Sequence, residues 1–125
     1  MHYLNLIPVY RCSLPLGLES GKVPDAAFSA SSMAGSKNGP ERARLNGQGP
    51  GGWVAKANNG SQWLQIDLGE LVRLTNVATQ GRRDADHWVT QFSLSYSLDG
   101  KHWAEYKENS VTLVSNYDTS CRMIL

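Results

Sequence analysis

Residues 87–97, "HWVTQFSLSYS", carry the clearest alternation of apolar and polar positions in the chain. Trp88, Thr90, Phe92, Leu94 and Tyr96 fall on one side, and Val89, Gln91, Ser93 and Ser95 on the other. A period of two predicts a half-buried β-strand. Asp99-Gly100 follows as a hairpin-turn signal, and "HWAEY" begins the return strand with Trp103 and Tyr106. "QWLQIDLGE" alternates in the same way: Leu64, Ile66 and Leu68 oppose Trp63, Gln65 and Asp67, and Gly69 ends the run. "VRLTNVAT" shifts phase between Leu74 and Val77, which predicts a bulge or a strand covered on both sides. "VTLVS" is one more short strand. No window has helical periodicity, so the pattern predicts an all-β antiparallel sandwich or barrel.

The pattern breaks down in residues 32–52, "SMAGSKNGPERARLNGQGPGG", which are rich in Gly, Ser, Asn and Pro. So long an irregular connection inside a compact domain points to a functional or a mobile loop. Residues 1–11 read as a flanking segment, leaving 12–125 as the domain.

Composition narrows the function classes. A chain of 125 residues suits one domain with one core. A formal net charge of +1 argues against a general nucleic-acid binder. No apolar run reaches membrane-span length. "MHYLNLIPVYRC" lacks the basic region and small-residue cleavage site of a signal peptide. Cys12 and Cys121 could form one end-to-end disulfide, as in an extracellular domain, or stand as two unrelated thiols; spacing alone decides neither. The scattered histidines and the lack of a CxxC argue against zinc. No cofactor is indicated. A Ca²⁺ site would draw on backbone carbonyls, which leave no trace in sequence.

One polar cluster raises a question of chemistry: "TQGRRDADHW", residues 79–88. Asp84, Asp86 and His87 could suggest acid/base or metal chemistry, yet Asp-x-Asp is common in turns. No second carboxylate motif, HExxH or GxSxG accompanies it, so the sequence indicates no enzyme. Arg82 and Arg83 lie between a strand-ending glycine and Trp88, a position that presents guanidiniums to anionic groups. The alternative is a surface pairing of Arg82 or Arg83 with Asp84 or Asp86, of little energetic consequence. Arg42 and Arg44 are interleaved with Glu41 and make no clean basic patch. Asn59-Gly60-Ser61 is a candidate N-glycosylation triplet and also a turn signal.

The segments "CSLPLGLESGKVPDAAFSASS", "ARLNGQGPGGW", "SQWLQIDLGE", "VATQGR", "HWVTQFSLSYSLDGKHW" and "SNYD" stand in one order. In that order they resemble the discoidin, or F5/8 type C, domain family from Cys12 to about Asp118. The look is nearest to extracellular adhesion members such as retinoschisin and contactin-associated proteins. The resemblance implies a jelly-roll β-sandwich that grips its ligand with loops, or spikes, at one end. Family ligands include cell-surface and matrix proteins, glycans and anionic phospholipid. Residues 32–41 and "GRRDADHW" match two spikes. The implied ligand-binding residues are therefore Met33, Ser36, Lys37, Asn38, Arg82, Arg83, Asp84, Asp86 and His87. Arg82 is the favoured contact, and Asp84 and Asp86 are expected to shape the loop and hold the arginines apart. Asp67 reads as a structural polar residue at a strand end.

Two departures follow from the resemblance. Coagulation-factor relatives carry bulky apolar residues at the spike tips, whereas "SMAGSKNGP" offers only Met33. That favours a protein or glycan ligand over anionic lipid, since a membrane wedge needs apolar area. The family's closing cysteine follows strands that do not continue recognisably here after about residue 118. Cys12 and Cys121 are therefore expected not to be the family's disulfide. The resulting expectation is an extracellular recognition module, secreted or displayed on a cell surface. An anionic-lipid module and a carbohydrate-binding accessory of an enzyme are the alternatives.

Overall fold

The computed structural model describes residues 14–74, 76–107 and the strand 122–124. Cys12 and Cys121, and the expected strand "VTLVS", lie outside the described residues.

The fold is all-β, as the alternation predicts. Among the described residues, five short strands form one antiparallel sheet: β1 (Phe28–Ala30), β2 (Leu64–Ile66), β3 (Leu94–Ser97), β4 (Ala104–Tyr106) and β5 (Arg122–Ile124). Their spatial order is β1-β2-β5-β3-β4. Registers run Phe28↔Ile66 and Ala30↔Leu64 between β1 and β2, and Leu94↔Tyr106 and Tyr96↔Ala104 between β3 and β4. Strand β5, past the point where the resemblance fades, lies between β2 and β3 and pairs with both.

These registers give the sheet two distinct ends. Ala30, Leu64 and Leu94 mark one, from which residues 31–38 depart and to which residues 79–93 return. Phe28, Ile66 and Ser97 mark the other, which carries the 67–72 connection and the hairpin turn.

The core lies against β1 and β2. Val23, Phe28 and Ile66 cluster there, with Leu18, Ala27, Leu68, Leu74 and Leu94 packed alongside. In β2 the expected alternation is realised: Leu64 and Ile66 are buried and Gln65 is half-exposed. Asp67 sits at the strand end as expected, its amide donating to Ala27 O (2.8 Å) and its carboxylate accepting from the Gly69 amide (2.9 Å).

An arginine secures this half. Arg44 follows a 3-10 turn over Pro40–Ala43, and its side chain is only 14% exposed. It donates to Leu18 O (2.5 Å), Val23 O (2.7 Å) and the Asp25 carboxylate (2.7 Å). Its guanidinium carbon stands 4.5 Å from the Phe28 ring centroid. The planar fork thus satisfies two carbonyls while its face covers an aromatic ring, a combination lysine cannot reproduce.

The far half differs from expectation. Only Leu94–Ser97 of the expected 87–97 strand is regular, and "VRLTNVAT" forms no strand among the described residues. Phe92 is 54% exposed and Trp88 68% exposed. A strand requires a partner for its amides and carbonyls as well as an alternating sequence. Among the described residues no strand pairs with residues 85–93.

The Asp99-Gly100 hairpin turn is present. Ser97 Oγ, buried, accepts from the amides of Asp99 (3.3 Å) and Gly100 (2.8 Å) and donates to Asp99 Oδ1 (3.0 Å). Asp99 Oδ1 also accepts from the amides of Lys101 (2.8 Å) and His102 (2.9 Å), and Asp99 Oδ2 meets His102 Nδ1 at 2.6 Å.

Candidate ligand-binding end of the sheet

The first loop leaves β1 under tight control. The Ser31 amide donates to Trp63 O (2.9 Å), and the hydroxyls of Ser31 (2.9 Å) and Ser32 (2.6 Å) both donate to Gln62 Oε1. The Trp53 indole donates to Ser32 O (2.9 Å). Further out, Ala34 donates to Val54 O (2.8 Å) and Val54 to Asn38 O (3.3 Å), strapping the loop to residues 52–54. The Asn38 side chain donates to Gly52 O (3.2 Å). Asn38 is therefore a half-buried strap, whereas Met33, Ser36 and Lys37 stand exposed at the tip. Met33 is 50% exposed.

The second loop closes on itself. The Arg82 amide donates to His87 O (2.8 Å), and the His87 amide to Ala85 O (2.8 Å). Arg82 forks the Asp84 carboxylate, Nε to Oδ1 at 2.5 Å and a terminal nitrogen to Oδ2 at 3.2 Å. This hydrogen bonding is the main reason the Arg82 pKa is raised and that of Asp84 lowered. The amide of Gly51 adds a smaller pull on the same carboxylate. The surface pairing weighed against a ligand role is thus the arrangement that Arg82 and Asp84 form. Arg83 remains exposed, with one long contact to Gly47 O (3.5 Å). Asp86 and His87 are exposed.

Residues 46–54 join the two loops. Gln80 Oε1 accepts from the Asn46 amide (2.9 Å), tying the approach to the second loop onto this bridge. Gly51 has a φ of +86°, and a Cβ there would meet Lys37 O at 3.0 Å and Asn38 Nδ2 at 3.2 Å. A side chain at this position would be both conformationally strained and crowded. The two predicted spikes therefore share one end, with Lys37 and Arg83 as exposed cations.

Three features important to this geometry gave no sequence signal: the Gln62 amide, the Gly51 crowding and the Arg44 clamp. Trp53 had a weak one, since a partly covered indole needs an acceptor.

Chemistry elsewhere is limited. Among the described residues no group of three or more His, Cys, Asp or Glu could hold a metal ion. Ser97, Asp99 and His102 sit together, but Ser97 Oγ bonds the aspartate and turn amides and makes no contact with the imidazole. That is a turn cap, without the nucleophile–base pair that acyl transfer needs. A shallow cleft of about 370 Å³ at the other end of the sheet is lined by Lys22, Val23, Leu68 and Glu70 among others. No helix among the described residues is long and apolar enough to cross a membrane.

An all-β scaffold with two loops tied together at one end has the geometry of a binding module. The F5/8 type C domain profile matches residues 27–122, and the chain belongs to that family. Coagulation factor V of Sus scrofa is 43% identical over 106 residues, covering 79% of this chain and 5% of that protein. Coagulation factor V of Homo sapiens is 42% identical over the same length and coverage. Lactadherin of Rattus norvegicus is 36% identical over 115 residues, 85% of this chain and 27% of that protein. The chain thus spans a small part of these relatives' length.

Proposed function

We propose that this chain is an extracellular recognition module. It binds an anionic protein surface or an acidic glycan through the end formed by residues 31–38, 49–54 and 80–87. One observation carries the reading: two loops far apart in sequence are locked to a shared bridge, with Lys37 and Arg83 exposed on them. Rigid presentation lowers the ordering cost of binding. Arg82 serves this end indirectly, by shaping the loop through Asp84, so Arg83 is the contact residue.

A second reading, binding to an anionic lipid surface, gains support from exposed Trp88 and Val89 next to the second loop. Those two residues supply apolar area that "SMAGSKNGP" lacks.

The test is a binding panel of acidic glycans, matrix proteins and phosphatidylserine vesicles on the purified domain. Arg83→Ala should weaken binding to a glycan or protein ligand about tenfold, one charge-assisted hydrogen bond's worth. Its melting temperature should stay at the parent value. Equal affinity in parent and variant would remove Arg83 from the site. Vesicle binding lost on Trp88→Ser but kept on Arg83→Ala would select the lipid reading.

A further inference from the structure

We infer that Asn59 is an acceptor for N-linked glycan, placed beside the 31–38 loop; this rests on the extracellular reading above. Asn59-Gly60-Ser61 is the chain's one Asn-x-Ser/Thr triplet. The fold adds three observations to the bare motif. Every residue from 56 to 61 is exposed, so a bulky glycan meets no packed surface. The Asn59 carboxamide is held by its oxygen alone, which accepts from the Ser61 amide (3.0 Å) and from Gln62 Nε2 (2.9 Å). Its nitrogen, the atom that would carry the sugar, donates to no partner among the described residues, so substitution there costs no hydrogen bond.

The third observation concerns place. Gln62 gives its nitrogen to Asn59 and receives the Ser31 and Ser32 hydroxyls on its oxygen. The glycan root is thus one side chain away from Ser32, next to Met33. A glycan at Asn59 borders the first ligand loop.

The covalent step is a substitution with no change of oxidation state. Asn59 Nδ2 attacks the anomeric carbon of a lipid-pyrophosphate-linked oligosaccharide. The N–C bond forms and the C–O bond to the pyrophosphate breaks. The pyrophosphate leaves with the electron pair, and the nitrogen gives one proton to the transferase.

The test fuses the full chain to an export leader, so that it meets the transferase whatever its native destination, and expresses it in secreting animal cells. The expected product carries one glycan, removed by peptide-N-glycosidase. Release in isotopically heavy water should label residue 59 only when the glycosidase is present, and an enzyme-free incubation in the same water measures spontaneous deamidation at Asn59-Gly60. Ser61→Ala leaves the Ser61 amide and the turn in place and should abolish the modification. Ser61→Thr should keep it, and a glycan-free Ser61→Ala product that is still secreted shows that folding is unaffected. A secreted parent chain with no glycan at Asn59 overturns the inference. Glycan on the leader-fused chain but none on the native protein keeps the site and rejects the extracellular reading instead.

Discussion

Phe28 and Phe92, the two phenylalanines of the chain, occupy opposite positions in the fold. Each is an aromatic at an apolar position near a strand start, yet Phe28 is 7% exposed and Phe92 54% exposed. Phe28 has β2 opposite it, Val23 and Ile66 against it and the Arg44 guanidinium over its ring. Phe92 lies in a segment where Trp88 and Val89 are also exposed, and Tyr106, paired with Leu94 at the same end, is exposed too. Alternation states which residues can be buried together; only a facing layer buries them. The stability of the described chain is therefore concentrated around β1, β2 and Arg44.

The sharpest test makes the same substitution in both halves. Phe28→Ala should cost about 3–5 kcal/mol, as for large-to-small changes in a packed core. Phe92→Ala should cost about 1 kcal/mol or less, since half its surface is already in water. Denaturant titration of both variants measures the gap. Equal costs would show that Phe92 is covered in solution and that the contrast between the halves is false.

Next in size is the clamp. Arg44→Ala leaves two carbonyls without their donor and uncovers the Phe28 ring, a loss of about 2–3 kcal/mol. Arg44→Lys keeps the charge but not the fork, and should recover less than half of that stability. Full recovery by lysine would show that charge alone matters.

The smallest effect lies at the hairpin. Asp99 raises the His102 pKa above its ordinary 6.5, by hydrogen bond first and charge second. Amide and imidazole hydrogen bonds from His102 hold Asp99 well below its ordinary 3.8. For His102, whose folded value is raised, the stabilisation is fully present below 6.5 and is lost as pH rises through the folded value. For Asp99, whose folded value is depressed, it is present above 3.8 and is lost as pH falls below it. The pair should therefore contribute most between those limits. His102→Gln should narrow its stability deficit as pH rises above neutrality. A deficit independent of pH would assign the hairpin to backbone geometry alone.

Local signals made part of this legible. Leu64 and Ile66 follow their alternation, and Asp99-Gly100 turns the chain where expected because Gly100 takes a φ of +72° that the turn requires. Strand β1 was missed because "AFSA" is too short to show a period. Arg44 looked like one of several loop arginines because its partners are backbone carbonyls, Leu18 O and Val23 O, which carry no residue signature. The family resemblance pointed to two loops, and the fold brings both to one end of the sheet. That Asn38 is a strap and Arg82 an internal fork could be read only from the partners that three-dimensional proximity brings to them.

The crowding at Gly51 bears on how such a module can be diversified. Lys37 O and Asn38 Nδ2 lie within contact distance of any side chain placed there, and its amide faces Asp84. The two tips are therefore not separable cassettes. Randomising residues 33–37, or Arg83, Ala85 and Asp86 with Asp84 kept, changes what is displayed while residues 49–54 stay seated. Transplanting residues 31–38 onto another scaffold without residues 49–54 would carry over the letters of the loop and leave its shape behind.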